Sequence, residues 1–470
     1  MQINKYQSVF IFFLTAIFIF SSSYMLNIDK GWVLILPVVL YFLFSLFEIN
    51  KIIWIIIFLT PLSVPVNELG VFFDDINFTF PTEFLLFGLL FVLLIQMFLY
   101  SNKFVEILNH KVTFILILYL FWMFVSSITS TNPIVSLKLF LTRLWFIIPF
   151  YFFIIFIFQN RDNIFKFVLT YTIPLCIVVI YTLIQQSGDF FDSKLANGAV
   201  HPFFNDHTSY GAILAFFIPS IFIFITNTKI SKKWNILLFF ILVILCLGLF
   251  FSYTRAAWLS FIIALCFGIF LKMKFNFKHL ILFSILFFGL IFVFQDKLIS
   301  SQESSNSIFT HLQSSSNIST DASNMERINR WNCALKMFNE KPIYGYGPGT
   351  YQFEYSAFQD PDDKTIISTK FGDGGNAHSE YLSALSETGL IGFLIFVLLV
   401  FIIFFKGIKL YYELNCNERK MYLLCALIAL MTYFIHAFFN NFLDIDKVSI
   451  ALWSYIAIIV SIDLSLKEKI

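Results

Sequence analysis

Charge is the scarcest property of this sequence. Of its 470 residues only 13% are Asp, Glu, Lys or Arg, while 59% are hydrophobic and the mean hydropathy is +0.82. Soluble domains are roughly a quarter charged, so this chain is not one of them, and an integral membrane protein is the class that fits. The formal net charge is only +2, with no basic arm or stripe, which excludes a nucleic-acid partner. Cysteine is scarce as well. Of the six, Cys176, Cys246, Cys266 and Cys425 lie in apolar runs, and Cys333 alone sits in the large polar segment. Neither a disulfide framework nor a CxxC metal site is therefore available. Internal repeats are lacking, and so are the paired broken helices that mark many secondary transporters.

What the chain does contain is apolar sequence. Its 66 Phe read as generic lipid-facing residues rather than as an aromatic cofactor box. Crossing about 30 Å of hydrocarbon takes about 20 apolar residues. Such runs occur near 8–27, 31–47, 51–66, 82–100, 112–129, 139–158, 165–185, 208–226, 234–252, 256–271, 279–294, 383–405, 421–440 and 448–464. The second, third and tenth are short or broken by Pro. The first ends in three Ser without a small-residue cleavage site, and reads as a span rather than a signal peptide. The expected fold is all-α: a polytopic membrane helical bundle of about 12–14 transmembrane helices with one large external loop containing short helices. Residues 1–294 and 383–470 would supply the N- and C-terminal membrane helices, and residues 295–382 the loop.

Positive charge alternates between the turns. Lys103 and Lys111, Arg161 and Lys166, Lys232 and Lys233, Lys272 and Lys274, and Lys406 through Lys420 fall on one side. The segment 67–80 has Glu68, Asp74 and Asp75 but no Lys or Arg, and 441–447 has two Asp and one Lys. The positive-inside rule then predicts both termini in the cytoplasm and the long polar segment outside. Within that segment, residues 295–320 are rich in Ser, Asn and Gln and read as a flexible lead-in. From 324 to 339 Ile328, Trp331, Leu335 and Phe338 recur at helical spacing, with Arg327 and Arg330 at the edge of the stripe. Pro342 ends this helix, and Gly345-Tyr-Gly-Pro-Gly349 makes a tight turn.

Several side chains could carry chemistry at that surface. His378 stands at the outer mouth of a span, where a neutral imidazole can take a proton from a hydroxyl; a hydrogen-bonded loop histidine is the alternative. Glu387 is either a partner for it or a capping carboxylate. Arg255 interrupts an apolar run, which points to an anion, a buried partner or headgroup contact. Arg327 and Arg330 offer planar forks suited to phosphate oxygens, or simply a solvated face. Arg143, with Lys138, either supports them or meets lipid headgroups. His201 and His207 are too few for a metal site, and His436, Asn440 and Asn441 read as buried hydrogen-bonding groups. Arginines holding a diphosphate beside a base that deprotonates a hydroxyl amount to glycosyl transfer from a polyprenyl-diphosphate donor, with no cofactor.

Three blocks resemble the O-antigen ligase/polymerase family of bacterial envelope proteins. Ser252-Tyr-Thr-Arg-Ala-Ala-Trp-Leu259 is similar to its SRxAWL-type helix start. Arg327-Ile-Asn-Arg-Trp331 through Gly345-Tyr-Gly-Pro-Gly349 is similar to its RxxxW…P…GxGxG stretch. His378-Ser-Glu-Tyr-Leu382 with Leu385-Ser-Glu-Thr-Gly-Leu-Ile-Gly392 is similar to its HNxxLxxLxExGxxG ending, although Ser379 stands where the family usually has Asn. The blocks fall between about 200 and 400. The resemblance implies a metal-independent GT-C-type glycosyltransferase of the bacterial inner membrane, acting on the periplasmic face. Its donor would be an undecaprenyl-diphosphate-linked saccharide, with His378 as the essential histidine and Arg255 and Arg327 as diphosphate ligands; Arg330 has no firm counterpart. Acceptors within the family range over lipid A core, a growing glycan and protein side chains, so ligase, polymerase and protein O-oligosaccharyltransferase all stay open. From another class, a lipid or polysaccharide exporter would also have many spans.

Overall fold

A bilayer offers backbone groups no water to bond, so apolar runs satisfy their own N–H and C=O groups by coiling. The computed structural model describes residues 48–69, 79–193, 195–226, 231–273, 322–360 and 375–467, and there the apolar runs are helical. We number the main helices α1 (48–59), α2 (Thr82–Leu99), α3 (Lys111–Ile128), α4 (Pro133–Ile157), α5 (Asp162–Gly188) and α6 (His207–Ile225). They continue as α7 (Lys232–Phe251), α8 (Arg255–Lys272), α9 (Ala322–Glu340), α10 (Glu380–Glu413), α11 (Asn417–His436) and α12 (Asp446–Lys467). Among the described residues ten helices, all but α1 and α9, are long and apolar enough to cross a membrane. The chain is thus a multi-pass, all-α membrane protein.

The expected spans 8–27, 31–47 and 279–294 lie outside the described residues. The expected span 51–66 is helical only as far as Leu62, after which Val64–Pro65 pairs antiparallel with Thr79–Phe80. Pro61 and Pro65 explain the early end, since neither can donate to a continuing helix. In α4 the turn Ile148–Phe153 widens to a π-helix around Pro149, the usual local answer to a missing donor.

The innermost helices are α12 and α6, both almost wholly buried, whereas α7 and α8 are largely uncovered by protein. Tyr455 at the middle of α12 is bonded to Ser220 of α6 at 2.8 Å and packed edge-on against Phe216 and Phe167. Polar pairs mark the ends of α12. At one end Asp446 accepts from Ser63 Oγ (2.6 Å) and Thr79 Oγ1 (3.1 Å). At the other, Asp463 meets His110 (2.9 Å) and Lys406 (3.5 Å). Lys111, Arg161 and Lys406 gather toward this second end, and the polar loop docks at the first.

The loop is tied to the bundle through a break in α10. Gly389 has φ 68° and interrupts the helix, which exposes the carbonyls of the turn before it. Tyr346 N–H donates to Ser386 O (3.0 Å), Gly347 N–H to Glu387 O (2.8 Å) and Trp122 Nε1 to Thr388 O (2.9 Å). Beyond the break, Leu390 N–H donates to Pro342 O at 2.8 Å. A Cβ at Gly389 would lie 2.1 Å from Ile343 O, and one at Gly347 2.0 Å from Ser130 Oγ, so both positions need glycine. The same turn reaches the α3–α4 junction, where Tyr346 O accepts from Thr131 N–H at 2.9 Å, and Tyr344 stacks on Trp122.

Candidate active site at the loop–membrane junction

His378 is the last loop residue but one before α10, and its backbone is pinned from both sides. Its N–H donates to Asn376 Oδ1 (3.1 Å) and its carbonyl accepts from Trp331 Nε1 of α9 (3.3 Å). Ser379 follows as the α10 cap, Oγ accepting from Leu382 N–H at 3.4 Å. Glu380 then anchors the start of α10 to the α11–α12 turn. Its Oε1 accepts from Phe442 N–H (2.6 Å), Leu443 N–H (2.8 Å) and Tyr433 OH (3.0 Å). His378 itself has φ 47°, a left-handed backbone that costs about 1–3 kcal/mol in a non-glycine residue and recurs at functional sites.

The His378 ring is half-buried, with the Asn440 side chain beside it. Asn440 Nδ2 donates one N–H to His436 Nε2 at 3.0 Å, and its Oδ1 is an acceptor that a His378 N–H can meet. A His378 N–H directed at that oxygen leaves the other ring nitrogen as a lone pair. Burial, then the positive charges of Arg330 and Arg327, push the imidazolium down from the usual 6.5 to about 4. The ring is neutral at physiological pH.

Arg255 opens α8, one residue after Thr254, whose Oγ1 donates to His207 O at 2.8 Å. The preceding Tyr253 has φ 52°, so each of the two helix starts follows a left-handed residue. The Ala256 backbone adjoins His436. A chain of neighbours, Ala256, His436, Asn440 and His378, thus links the start of α8 to the start of α10. Arg327 acts electrostatically on His207, His378 and His436, so its guanidinium belongs to the same end of the bundle.

Arg330 sits differently. It is only 5% exposed, its Nε donates to Glu326 Oε1 (2.8 Å), Nη1 donates to Asn376 O (3.1 Å), and its plane covers the Tyr355 ring. A Cβ on Gly375 would fall 1.5 Å from Arg330 Nη1, so the chain before His378 wraps directly around this guanidinium. Arg330 positions the His378 segment.

Glu387 and Arg143 lie around a second feature. Glu387 Oε1 accepts from Tyr351 N–H at 3.1 Å, which binds the glycine-rich turn rather than His378. Arg143, far from meeting headgroups, is 6% exposed. It pairs with Asp444 Oδ1 at 2.9 Å and donates through Nη1 to Leu443 O. Both residues line a cleft together with Tyr119, Glu380, Asn441 and Asp444. His201 and His207 do not come together: His201 is 3.9 Å from Glu68 and His207 bonds Asn197. Among the described residues no group of three or more His, Cys, Asp or Glu could hold a metal ion.

The sequence reading of His436 and Asn440 as buried hydrogen-bonding groups holds; what it missed is that the pair stands beside His378. Two adjacent Asn after a His at a span's end are the available signal, but one-dimensional spacing does not say that they face a residue 62 positions earlier. Residues 240–397 match the family model described as O-antigen ligase, and no curated protein matches the chain. The matched stretch runs from within α7 into α10 and includes Arg255, Arg327, Arg330, His378 and Glu387; Arg143, His436 and Asn440 fall outside it.

Proposed function

We propose, on the premise that residues 240–397 are an O-antigen ligase domain, that this membrane enzyme of surface polysaccharide biosynthesis is a glycosyltransferase. Its donor is an undecaprenyl-diphosphate-linked saccharide, and it works on the periplasmic face of the bacterial inner membrane with both termini in the cytoplasm. The observation that carries the reading is the linkage of His378, through Asn440 and His436, to the helix start at Arg255, with Arg327 in electrostatic reach.

The chemistry follows from those positions. The N-terminus of α8 presents the positive end of its helix dipole, to which Arg255 adds a full charge; such a terminus favours a phosphate. Arg327 meets the diphosphate from the loop side. The lone pair of His378 accepts the proton of the acceptor hydroxyl as its oxygen attacks the anomeric carbon. The bond from that carbon to the diphosphate oxygen breaks, the electron pair leaves with the diphosphate, and the arginines hold the added charge. Arg330, Arg143 and Glu387 act as supports of the loop and turn. An exporter would line its path with ionisable groups. The innermost helix, α12, has no charged residue between Lys447 and Asp463, which favours the enzyme.

Glycan transfer by the purified protein tests the reading, with lipid A core, free donor glycan and a protein offered in parallel as acceptors. Wild type is expected to transfer to one of them, which distinguishes ligase, polymerase and protein O-oligosaccharyltransferase. His378→Ala and Arg255→Ala are expected to fail while remaining folded. Wild-type transfer undiminished by His378→Ala overturns the assignment.

A further inference from the structure

The diphosphate site accounts for one end of a donor, and a cleft beside it has the opposite character. It lies between α3, α4, the first turns of α10 and the α11–α12 turn. Glu380 and Ser383, two and five residues beyond His378, contribute to its wall, so it adjoins the proposed reaction centre along one helix. It offers a diphosphate no unpaired cation, since Arg143, its one guanidinium, is paired with Asp444 at 2.9 Å.

Two lining atoms have no partner. Arg143 Nε is a buried donor, on a residue more than nine-tenths buried, and Asn441 Oδ1 is a buried acceptor. Leaving such groups unsatisfied costs about 1–3 kcal/mol each. A hydroxyl is the small group that both accepts and donates, so a polyhydroxylated ligand satisfies the two at once. Asn441 Nδ2 donates to Ser383 Oγ at 3.4 Å, which holds the amide across the cleft. Tyr119, Pro348 and Phe396 supply apolar walls, suited to the C–H faces of a sugar ring.

We infer that this cleft is a subsite for an uncharged saccharide unit, whose hydroxyls bond Arg143 Nε and Asn441 Oδ1. The inference rests on the glycosyl-transfer reading and assigns the sugar to a site separate from the one proposed for the diphosphate. The saccharide belongs either to the donor or to the acceptor, and both present the same chemistry.

The test takes the donor apart. Bare undecaprenyl diphosphate and the reducing glycan released from the donor by mild acid are each titrated onto the full-length protein in nanodiscs, with saturation-transfer NMR following the glycan. Asn441→Ala and Arg143→Lys are expected to weaken glycan binding about tenfold and to leave lipid-diphosphate binding unchanged. Retained lipid-diphosphate binding also shows that the variants are folded. Arg255→Ala is expected to do the reverse, which separates this proposal from the site it adjoins. Displacement of the glycan by intact donor identifies the donor's own sugar as occupant, and simultaneous binding identifies the acceptor's. Glycan binding that is absent in wild type, or undiminished in both cleft variants, overturns the subsite whatever happens to the diphosphate.

Discussion

At the scale of single residues, the environment of His378 decides how its chemistry responds to pH. Two arginines and burial hold its conjugate acid near pH 4 rather than 6.5, so the free enzyme keeps a neutral ring down to that value. The acid limb of kcat/KM, which reports the free enzyme, is therefore expected near pH 4. A bound diphosphate offsets the charges of Arg327 and Arg330, which relieves part of the depression. The acid limb of kcat, which reports the complex, should then lie at higher pH than that of kcat/KM. Coincident limbs would show that no anion binds beside this ring. Loss of a general base typically costs about 10²–10⁴-fold, and transfer by His378→Ala should fall within that range. Asn440→Ala removes the group that orients the ring; kcat is expected to fall about tenfold while donor affinity holds, as for a positioning residue.

Among elements, the junction of loop and α10 is where local chemistry and tertiary structure depend on each other. Gly389→Ala places a Cβ 2.1 Å from Ile343 O on a backbone with φ 68°, a strain of about 1–3 kcal/mol before any clash. A thermal melt in detergent should show a lower Tm, with the milder Trp122→Phe losing about 1 kcal/mol for the bond to Thr388 O. The same junction shows what the chain revealed and what it hid. Apolar length made the spans readable, and Pro342 with the Gly-rich turn correctly ended α9 at Glu340. The face of α9 was misread. Ile328, Trp331, Leu335 and Phe338 suggested the packed stripe, yet Leu335 is 44% exposed, and the buried side is Glu326, Asn329, Arg330, Cys333 and Met337. The apolar seam of α9 is made by its smaller side chains, Cys333, Ala334 and Met337 packing on Tyr346, Tyr351 and Tyr355, and it is joined by the buried Arg330–Glu326 ion pair, so the largest apolar residues did not mark the packed face. Arg255 stood out in the sequence because a charge beside apolar sequence is expensive, and Arg327 because it edges a helical stripe in the polar segment. Asn440 was not, because its importance comes from a neighbour that only folding brings close.

For the molecule as a whole, the two ends of the bundle predict opposite accessibility. With the six native cysteines replaced by serine, Gln352→Cys in the loop should react with a membrane-impermeant maleimide added outside intact cells. Lys111→Cys at the far end should react only after the membrane is opened. The reverse pattern would invert the orientation and remove the periplasmic site with it. Finally, the capping of α10 dictates an order of assembly. The carbonyls at its break are satisfied by the loop turn before it and by Trp122, on a helix synthesised more than 250 residues earlier. The turn from Pro342 to Gly347 therefore acquires its full set of contacts only once α10 has entered the bilayer beside α3. The end of the bundle that carries the proposed site is finished late, so a nascent chain arrested before α10 would carry every arginine of that site and still have no site.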